Sequence, residues 1–279
     1  MKITRAMELI AASRIVRAQQ RVEAARPYAE LLTRAMEDVA RQTGSLVHPL
    51  LGEREPVRRA GVFVVTSDRG LAGSYNANVL RLTELSIRRA RSNGAEPVVY
   101  VVGKKGVSYF RFRGVPIAEQ WTGFSEVPTY EAAERIGRRL IADFAGGDID
   151  DLHAVYTDFR SAFTLRATER RFLPIAPEEV TGRESGLPYA EYIFEPEPAA
   201  ILDDLLPQYL ITKVYAALLE SAASENAARR RAMKAATDNA EDLIRVLTRQ
   251  ANRARQDEIT TEITEIVGGA EALARTSEG

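Results

Sequence analysis

The stretch Glu220-Ser-Ala-Ala-Ser-Glu-Asn-Ala-Ala-Arg229 lies within the longest segment of this chain that is free of glycine and proline. From Pro198 to Ala274 there is one proline past the opening residue, Pro207, and no glycine before Gly268. At about 1.5 Å per residue, a helix over this segment is on the order of 100 Å long, several times the diameter of a small domain. We therefore predict a helix that pairs with another long helix or lies inside a partner.

The N-terminal residues predict a second long helix, because apolar or small residues recur at alternating intervals of three and four. These seam positions are Ala11, Ile15, Ala18, Val22, Ala25, Ala29, Leu32, Met36 and Val39. Pro27 falls inside the pattern and predicts a kink or a loosened turn. Gly44 and Pro49 predict the end of this helix.

A similar seam runs along the C-terminal helix. Its positions are Met233, Ala236, Ala240, Leu243, Leu247, Ala251 and Ala254, and after a phase shift Ile263, Ile266, Ala270 and Leu273. Ten alanines between positions 216 and 240 let two helix backbones approach closely. Polar residues interrupt the seam at Glu225, Asn226 and Arg229, where we expect them to fix the register or to face a third partner.

The middle of the chain predicts an α/β sheet. Continuous apolar strands are predicted at Gly61–Thr66, Pro97–Val102 and Leu152–Thr157, with a fourth at Leu165–Phe172. Helices are predicted from about Asn76 to Ser92 and from Tyr130 to Phe144, the latter with Thr129 as N-cap. Apolar strands that alternate with helices favour a mostly parallel sheet covered on both faces.

These elements predict three segments. Residues 1–45 form an N-terminal coiled-coil helix, residues 58–196 an α/β base domain, and residues 198–275 a C-terminal coiled-coil helix. Since both helices leave the α/β domain, we expect them to pair antiparallel. The predicted architecture is a globular base that carries a long, slim, two-helix rod.

Composition excludes several classes of function. The net charge is −1, so the chain has no overall attraction to nucleic acid or anionic lipid. Cysteine is absent and there are two histidines, His48 and His153, which leaves no thiolate metal site and little material for a histidine relay. No apolar run approaches the ~18 residues of a membrane span, and no signal peptide is recognisable. We expect contact with a membrane only through partners.

One motif invites a phosphate-binding interpretation. Ser67-Asp-Arg-Gly-Leu-Ala-Gly-Ser-Tyr-Asn76 lies between a strand and a helix, where backbone N–H groups attract anions. The motif matches neither phosphate-loop fingerprint, so a structural tight turn is favoured. Lys104 and Lys105, between two glycines, give a weaker signal of the same kind.

A basic stretch gives a second alternative. Residues 229–255 carry eight basic and three acidic side chains, which is typical of a solvated helix face. Nucleic-acid binding stays open, although no aromatic residues interleave for base stacking. A third possibility is an acidic protein partner around the rod. No catalytic constellation and no metal-ligand spacing stand out, so we predict no catalysis by this chain alone, no cofactor and no metal.

Three blocks of sequence together resemble the gamma subunits of F-type ATP synthases. The first is Lys2-Ile-Thr-Arg-Ala-Met-Glu-Leu-Ile-Ala-Ala-Ser13 with Arg26-Pro-Tyr-Ala29, and the second is the segment Ser67–Asn76. The third comprises Glu220–Arg229, Ala232-Met-Lys-Ala-Ala-Thr-Asp-Asn-Ala240, Asn252-Arg-Ala-Arg-Gln256 and Ile259–Val267. The resemblance covers nearly the whole chain, and the third block is highly specific.

The resemblance implies the central rotor shaft of the bacterial enzyme, which couples proton flow to ATP synthesis and hydrolysis. It implies a Rossmann-like base domain and an antiparallel coiled coil inside a hexamer of alpha and beta subunits. The epsilon subunit and the membrane ring of c subunits are expected at the base, and nucleic acid is not an expected partner. The implied location is peripheral, at the cytoplasmic face of the plasma membrane.

The resemblance also implies contact residues. Those expected to meet the alpha and beta hexamer are Met7, Gly70, Leu71, Ala72, Gly73, Arg229, Arg255 and Gln256. Tyr192 and Glu195 match the family's foot on the c ring. The chain departs from the family where Ala72 replaces a common cysteine and where Asp257 and Glu258 follow Gln256. Family members usually also carry residues ahead of the Lys2 segment, so we expect either a longer start or an upper C-terminal helix without its partner.

Overall fold

The computed structural model describes residues 2–43, 48–159, 164–176, 179 and 198–277, with side chains over 2–39, 48–159, 164–176, 179 and 200–270. The helices are α1 (Lys2–Thr43), α2 (Tyr75–Ser92), α3 (Lys104–Phe112), α4 (Tyr130–Ala145) and α5 (Pro198–Ser277). The strands are β1 (Arg59–Val65), β2 (Glu96–Val102), β3 (Ile117–Trp121), β4 (Asp151–Phe159) and β5 (Leu165–Leu173). The chain is therefore a mixed α/β protein with a long C-terminal helix, as the sequence predicts.

The chain divides into two units, one formed by Glu8–Ala232 and the other by Met1–Met7 with Met233–Gly279. In the smaller unit, Thr4 Oγ1 lies 2.7 Å from Thr237 Oγ1. Every described side chain of α5 from Asp242 to Ala270 is exposed in this unit, including the predicted seam residues Leu243 and Ile263. Within the described residues, the apolar seam of this region is thus uncovered.

The five strands of the larger unit form one sheet in the order β3-β2-β1-β4-β5. Strands β1 to β4 are parallel, with Val62 opposite both Val99 and His153. Strand β5 is antiparallel to β4 at the edge. The β4–β5 pair forms a hairpin, which needs no crossover helix.

Strand β1 alternates its side chains between two hydrophobic clusters, one on each face of the sheet. Phe63 and Val65 belong to a cluster that includes residues of α4 and α5, together with Met36 and Val39 of α1. Val62 and Val64 belong to a second cluster with residues of α2 and α3. The predicted covering of both faces is confirmed, since each face of β1 packs against helices.

Two elements depart from the prediction. Helix α3 and strand β3 were not predicted, because the helix is short and the edge strand alternates between half-buried and exposed positions. Such a strand lacks the continuous apolar run that marks a buried parallel strand. The predicted N-cap of α4 is confirmed, because the N–H of Ala132 donates to Thr129 Oγ1 at 3.3 Å. Helix α1 continues across Pro27.

The predicted seam of α1 is buried at its two ends. Ala11, Ile15 and Ala18 are buried near one end, and Leu32, Met36 and Val39 near the other. Between these ends, Val22, Ala25 and Ala29 are half-buried. Burial of this one helix face agrees with the spacing of three and four along the sequence.

Candidate partner-contact site

The turn that follows β1, residues 67–76, folds on itself through its own polar groups. The N–H of Ser67 donates to Asn76 Oδ1 at 3.0 Å, and Ser67 Oγ donates to the carbonyl of Arg69 at 2.6 Å. We call this segment the β1–α2 turn. Its ends are thereby fixed at the carboxyl end of β1, and its centre projects as a defined loop.

The centre of the turn presents an apolar side chain from a strained backbone. Leu71 has φ of 61° and is 61% exposed. An L-residue other than glycine pays roughly 1–2 kcal/mol in the left-handed region. Strain of this kind persists only where the surroundings over-determine it and is often found at contact sites. The exposed Leu71 is therefore a candidate contact residue.

The neighbours of Leu71 anchor the turn to α5. Ala72 and Tyr75 are buried in a small cluster with Ala228. Next to them, Ser224 Oγ donates to the carbonyl of Thr157 near the end of β4, at 3.4 Å. Helix α5 thus lies against the carboxyl ends of β1 and β4, where open α/β sheets commonly bind ligands.

Arg229 joins α5 to the turn through a buried ionic network. Its Nη2 donates to Glu225 Oε1 at 2.6 Å and to the carbonyl of Gly70 at 3.3 Å. Its Nη1 lies 3.2 Å from Glu126 Oε1. Arg229 is 5% exposed and Glu225 is 1% exposed, so this pair is shielded from solvent. Buried ionic groups of this kind require such partners, since an unpaired charge is costly to bury.

Glu126, in the segment before α4, connects further arginines to this network. Its Oε2 forms a short ion pair with Arg14 of α1 and lies 3.6 Å from Arg69 Nη1 in the turn. The carboxylate therefore meets arginines from two helices and from the turn.

Burial shifts the pKa values of two groups next to Arg229, namely Glu225 and Tyr75. Burial raises the pKa of Glu225, and its hydrogen bond and charge pair with Arg229 oppose the rise. Burial also raises the pKa of Tyr75, and the charge of Glu225 adds to this rise. Tyr75 is consequently a neutral phenol at physiological pH.

The N-terminus of α3, predicted as a weaker phosphate motif, already bonds to acceptors of the chain itself. The N–H of Lys104 donates to Asp68 Oδ1 at 3.1 Å, and that of Lys105 to the carbonyl of Ser67 at 3.0 Å. The N–H of Gly106 donates to Thr66 Oγ1 at 2.9 Å. The backbone N–H groups that would attract an anion thus join the start of α3 to the segment that follows β1.

The structure brings together five of the predicted contact residues, namely Gly70, Leu71, Ala72, Gly73 and Arg229. Leu71 and Gly73 are exposed, whereas Ala72 and Arg229 are buried. In the other unit, Met7 is half-buried and Arg255 and Gln256 are exposed. Tyr192 and Glu195 lie outside the described residues. The contacts of all these residues with partners stay predictions.

Sequence reasoning missed Glu126, and it gave Asp68 no role of its own within the Ser67–Asn76 motif. Asp68 Oδ2 accepts from the N–H groups of Gly123 and Ser125 at 2.8 and 3.1 Å, so it fixes the segment that carries Glu126. Neither acid has a periodic signal, because both lie in loops. Glu225 was recognisable as a polar residue on an apolar seam. In the structure it pairs with Arg229, which in turn donates to the carbonyl of Gly70 in the β1–α2 turn.

The basic stretch does not form one continuous face. Arg229 is buried, while its neighbours Arg230 and Arg231 are exposed. Within the residues that the structure describes, no group of three or more acidic or histidine side chains is arranged to hold a metal ion. None of the described helices combines the length and the apolar character that crossing a bilayer demands.

Comparison with known proteins identifies the family. A family model described as ATP synthase matches residues 1–273. The ATP synthase gamma chain of Frankia casuarinae is 56% identical, over 98% of this chain and 93% of that protein. The gamma chain of Acidothermus cellulolyticus is 55% identical, over 99% and 93%. That of Mycolicibacterium smegmatis is 54% identical, over 98% and 93%.

Solved structures share the fold. The central stalk and c-ring structure of Tetrahymena thermophila mitochondrial ATP synthase contains a chain with a TM-score of 0.61 and 24% identity, covering 84% of this chain and 99% of that one. A chain of Euglena gracilis mitochondrial ATP synthase has a TM-score of 0.58 and 15% identity, covering 96% and 97%. The sequence identity over nearly the whole length is decisive, and this chain belongs to the family of ATP synthase gamma chains.

Proposed function

We propose that the chain is the central rotor shaft of a bacterial F-type ATP synthase. In this role α1 and α5 form an antiparallel coiled coil, and the sheet forms a Rossmann-like base. The shaft couples proton flow to ATP synthesis and hydrolysis on other subunits and carries out no catalysis itself. Membership of the gamma chain family supports this role.

The observation that carries the proposal is the course of α1 beside α5 within the larger unit. Glu126 contacts both Arg14 and Arg229, so these two positions lie close together. Met36 and Val39 share a core cluster with the segment of α5 from Leu202 to Leu218. As numbers rise along α1 they fall along α5, which supports antiparallel pairing.

The partners of such a shaft are a hexamer of alpha and beta subunits, the epsilon subunit and the c ring. An asymmetric rod presents a different face to each of three beta subunits, so that each is held at a different point of its opening equilibrium. Rotation then exchanges these states in sequence. The protein would lie at the cytoplasmic face of the plasma membrane, in contact with it through its partners.

The exposed contact residues fit this arrangement. Leu71 projects from the β1–α2 turn towards solvent, and Arg255 and Gln256 are exposed on α5. We assign these residues, with Met7, Gly70 and Gly73, to contact with the hexamer, and we assign Ala72 and Arg229 to the same contact as the buried residues that anchor the β1–α2 turn. Tyr192 and Glu195 are assigned to the c ring.

Co-expression with the alpha and beta subunits tests the proposal. We expect a tagged chain to purify with both subunits, and a probe attached to it to rotate when ATP is hydrolysed. The isolated chain should show no ATPase activity. Recovery of the chain without either subunit, or salt-dependent DNA binding in place of assembly, would contradict the proposal.

A further inference from the structure

Three arginines from separate elements converge on one carboxylate. Glu126 Oε1 faces Arg229 of α5, and Oε2 faces Arg14 of α1 and Arg69 of the β1–α2 turn. One carboxylate oxygen of Glu126 thus contacts α5, and the other contacts α1. Among the described residues, the ion pairs of Glu126 link the α/β domain to both long helices.

The position of Glu126 is fixed by its own loop. Asp68 accepts from the N–H groups of Gly123 and Ser125, while Ser125 Oγ accepts from the N–H of Asp68 at 2.9 Å. The loop before α4 is thereby tied to the segment after β1. A carboxylate held by such secondary contacts is pre-organised, so the arginines adapt to it.

Partial burial strengthens the ion pair between Glu126 and Arg229 relative to a pair on the surface. The side chain of Glu126 is 14% exposed and that of Arg229 is 7% exposed. Ion pairs that are partly buried are screened much less by salt than pairs at the surface. Glu225, one turn earlier on α5, orients the Arg229 side chain. Movement of α5 relative to the domain would break the contacts of Arg229 with Glu126 and with the carbonyl of Gly70 together.

We propose that Glu126 is a positioning residue that transmits torque, by locking α1 and α5 to the α/β domain. This inference rests on the proposed rotor function. When the base is turned, the carboxylate resists slippage of either helix against the sheet. Loss of its charge should let the base turn through part of its angle without turning the rod. Hydrolysis would then continue while its coupling to proton movement falls.

The test uses the assembled ATP synthase in sealed vesicles. Glu126→Gln keeps the size of the side chain and removes its charge. We expect proton pumping per ATP hydrolysed to fall below that of the unmodified chain, because the neutral amide no longer forms ion pairs with Arg14 and Arg229. Glu126→Asp, which keeps the charge, should restore part of the loss. Glu134→Gln is the matched control, because Glu134 pairs with Arg138 inside α4 and should leave the ratio unchanged.

A second measurement separates transmission from simple folding. Arg14→Gln should lower the pumping ratio in the native background and have no further effect in the Glu126→Gln background. An unchanged ratio in Glu126→Gln, with normal coupling by the unmodified chain, would overturn the inference. A parallel fall of hydrolysis and pumping that Glu126→Asp does not restore would also overturn it. Failure of the unmodified chain to couple at all would instead overturn the rotor function on which the inference rests.

Discussion

Arg229 Nη2 lies 2.6 Å from Glu225 Oε1, one turn earlier on α5, and both side chains are buried. Charged residues at these positions interrupt an apolar seam, yet the structure makes them part of the attachment between α5 and the β1–α2 turn. Breaking this pair should therefore change the stability of the fold, which can be measured.

Arg229→Ala should lower the free energy of unfolding by about 3–5 kcal/mol, because it leaves Glu225 buried without its partner. Arg230→Ala, on the exposed neighbour, should change it by no more than about 0.5 kcal/mol. Urea unfolding of the purified chains measures both. Since the lost stability comes from an unpaired acid, Glu225→Gln should recover part of it in the Arg229→Ala background. Equal stability of the two single variants would contradict this account.

Gly103→Ala should be strongly destabilising. Gly103 has φ of +95°, and an added Cβ would lie 2.3 Å from the carbonyl oxygen of Thr66. Gly114 has φ of +65° with no atom within 4 Å of such a Cβ, which makes it the matched control. Backbone strain alone should cost Gly114→Ala about 1 kcal/mol, and overpacking should raise the cost for Gly103→Ala to about 3 kcal/mol. Thermal melts that rank the two variants in reverse would contradict the close approach to Thr66.

Leu71→Asn should weaken binding to the alpha and beta subunits without lowering the stability of the chain. Asparagine tolerates the left-handed backbone better than leucine, so we expect the variant to be equally stable or more stable by about 0.5–1 kcal/mol. Because the exposed apolar side chain is lost, co-purification with the alpha and beta subunits should weaken. Leu85→Asn, at a comparably exposed site on α2, controls for loss of an apolar surface residue. Undiminished assembly by Leu71→Asn would remove Leu71 from the contact surface.

The stability of the chain should fall as the pH rises through the titration of His153. Hydrogen bonding to Asp151 and then to Glu169 raises the pKa of His153 to about 9 from 6.5. The charged imidazole therefore stabilises the fold fully below pH 6.5, and this contribution is lost as the pH rises through about 9. We expect a loss of about 2 kcal/mol across this range, less than the full shift would give, because solvent screens the partly exposed imidazole.

Urea titrations below pH 6.5 and above pH 9 measure this dependence. His153→Gln should abolish most of it. His48→Gln should leave it in place, since burial lowers the pKa of His48 and its linkage has the opposite sign. A similar pH dependence in native protein and His153→Gln would contradict the assignment.

Arg255→Ala combined with Gln256→Ala should impair function without affecting the fold. Both side chains are exposed on α5, so we expect a change in stability within about 0.5 kcal/mol. Assembly or torque in the reconstituted enzyme should fall more than in Arg230→Ala. Synthesis and hydrolysis rates that match in the two variants would exclude these residues from the hexamer contact.

The periodic elements could be predicted from sequence because their signals are local. The absence of glycine and proline between Gln208 and Val267, together with the alanines and the apolar spacing of three and four, predicts that this segment is helical. The apolar runs of β1, β2 and β4 likewise required buried strands, and Thr129 marked the start of α4. Strand β3 escaped prediction because an exposed edge needs no apolar run.

The candidate site was only partly predictable. The β1–α2 turn was singled out by its residues, and the polar interruptions of the α5 seam predicted either a fixed register or a third partner. The sequence by itself determined the two long helices, α2, α4, the strands β1, β2, β4 and β5, and the family, because periodicity and identity are properties of the chain. Only the tertiary structure decided that Glu126 meets Arg14, Arg69 and Arg229, since charges far apart in sequence pair only after the sheet and helices have placed them within reach.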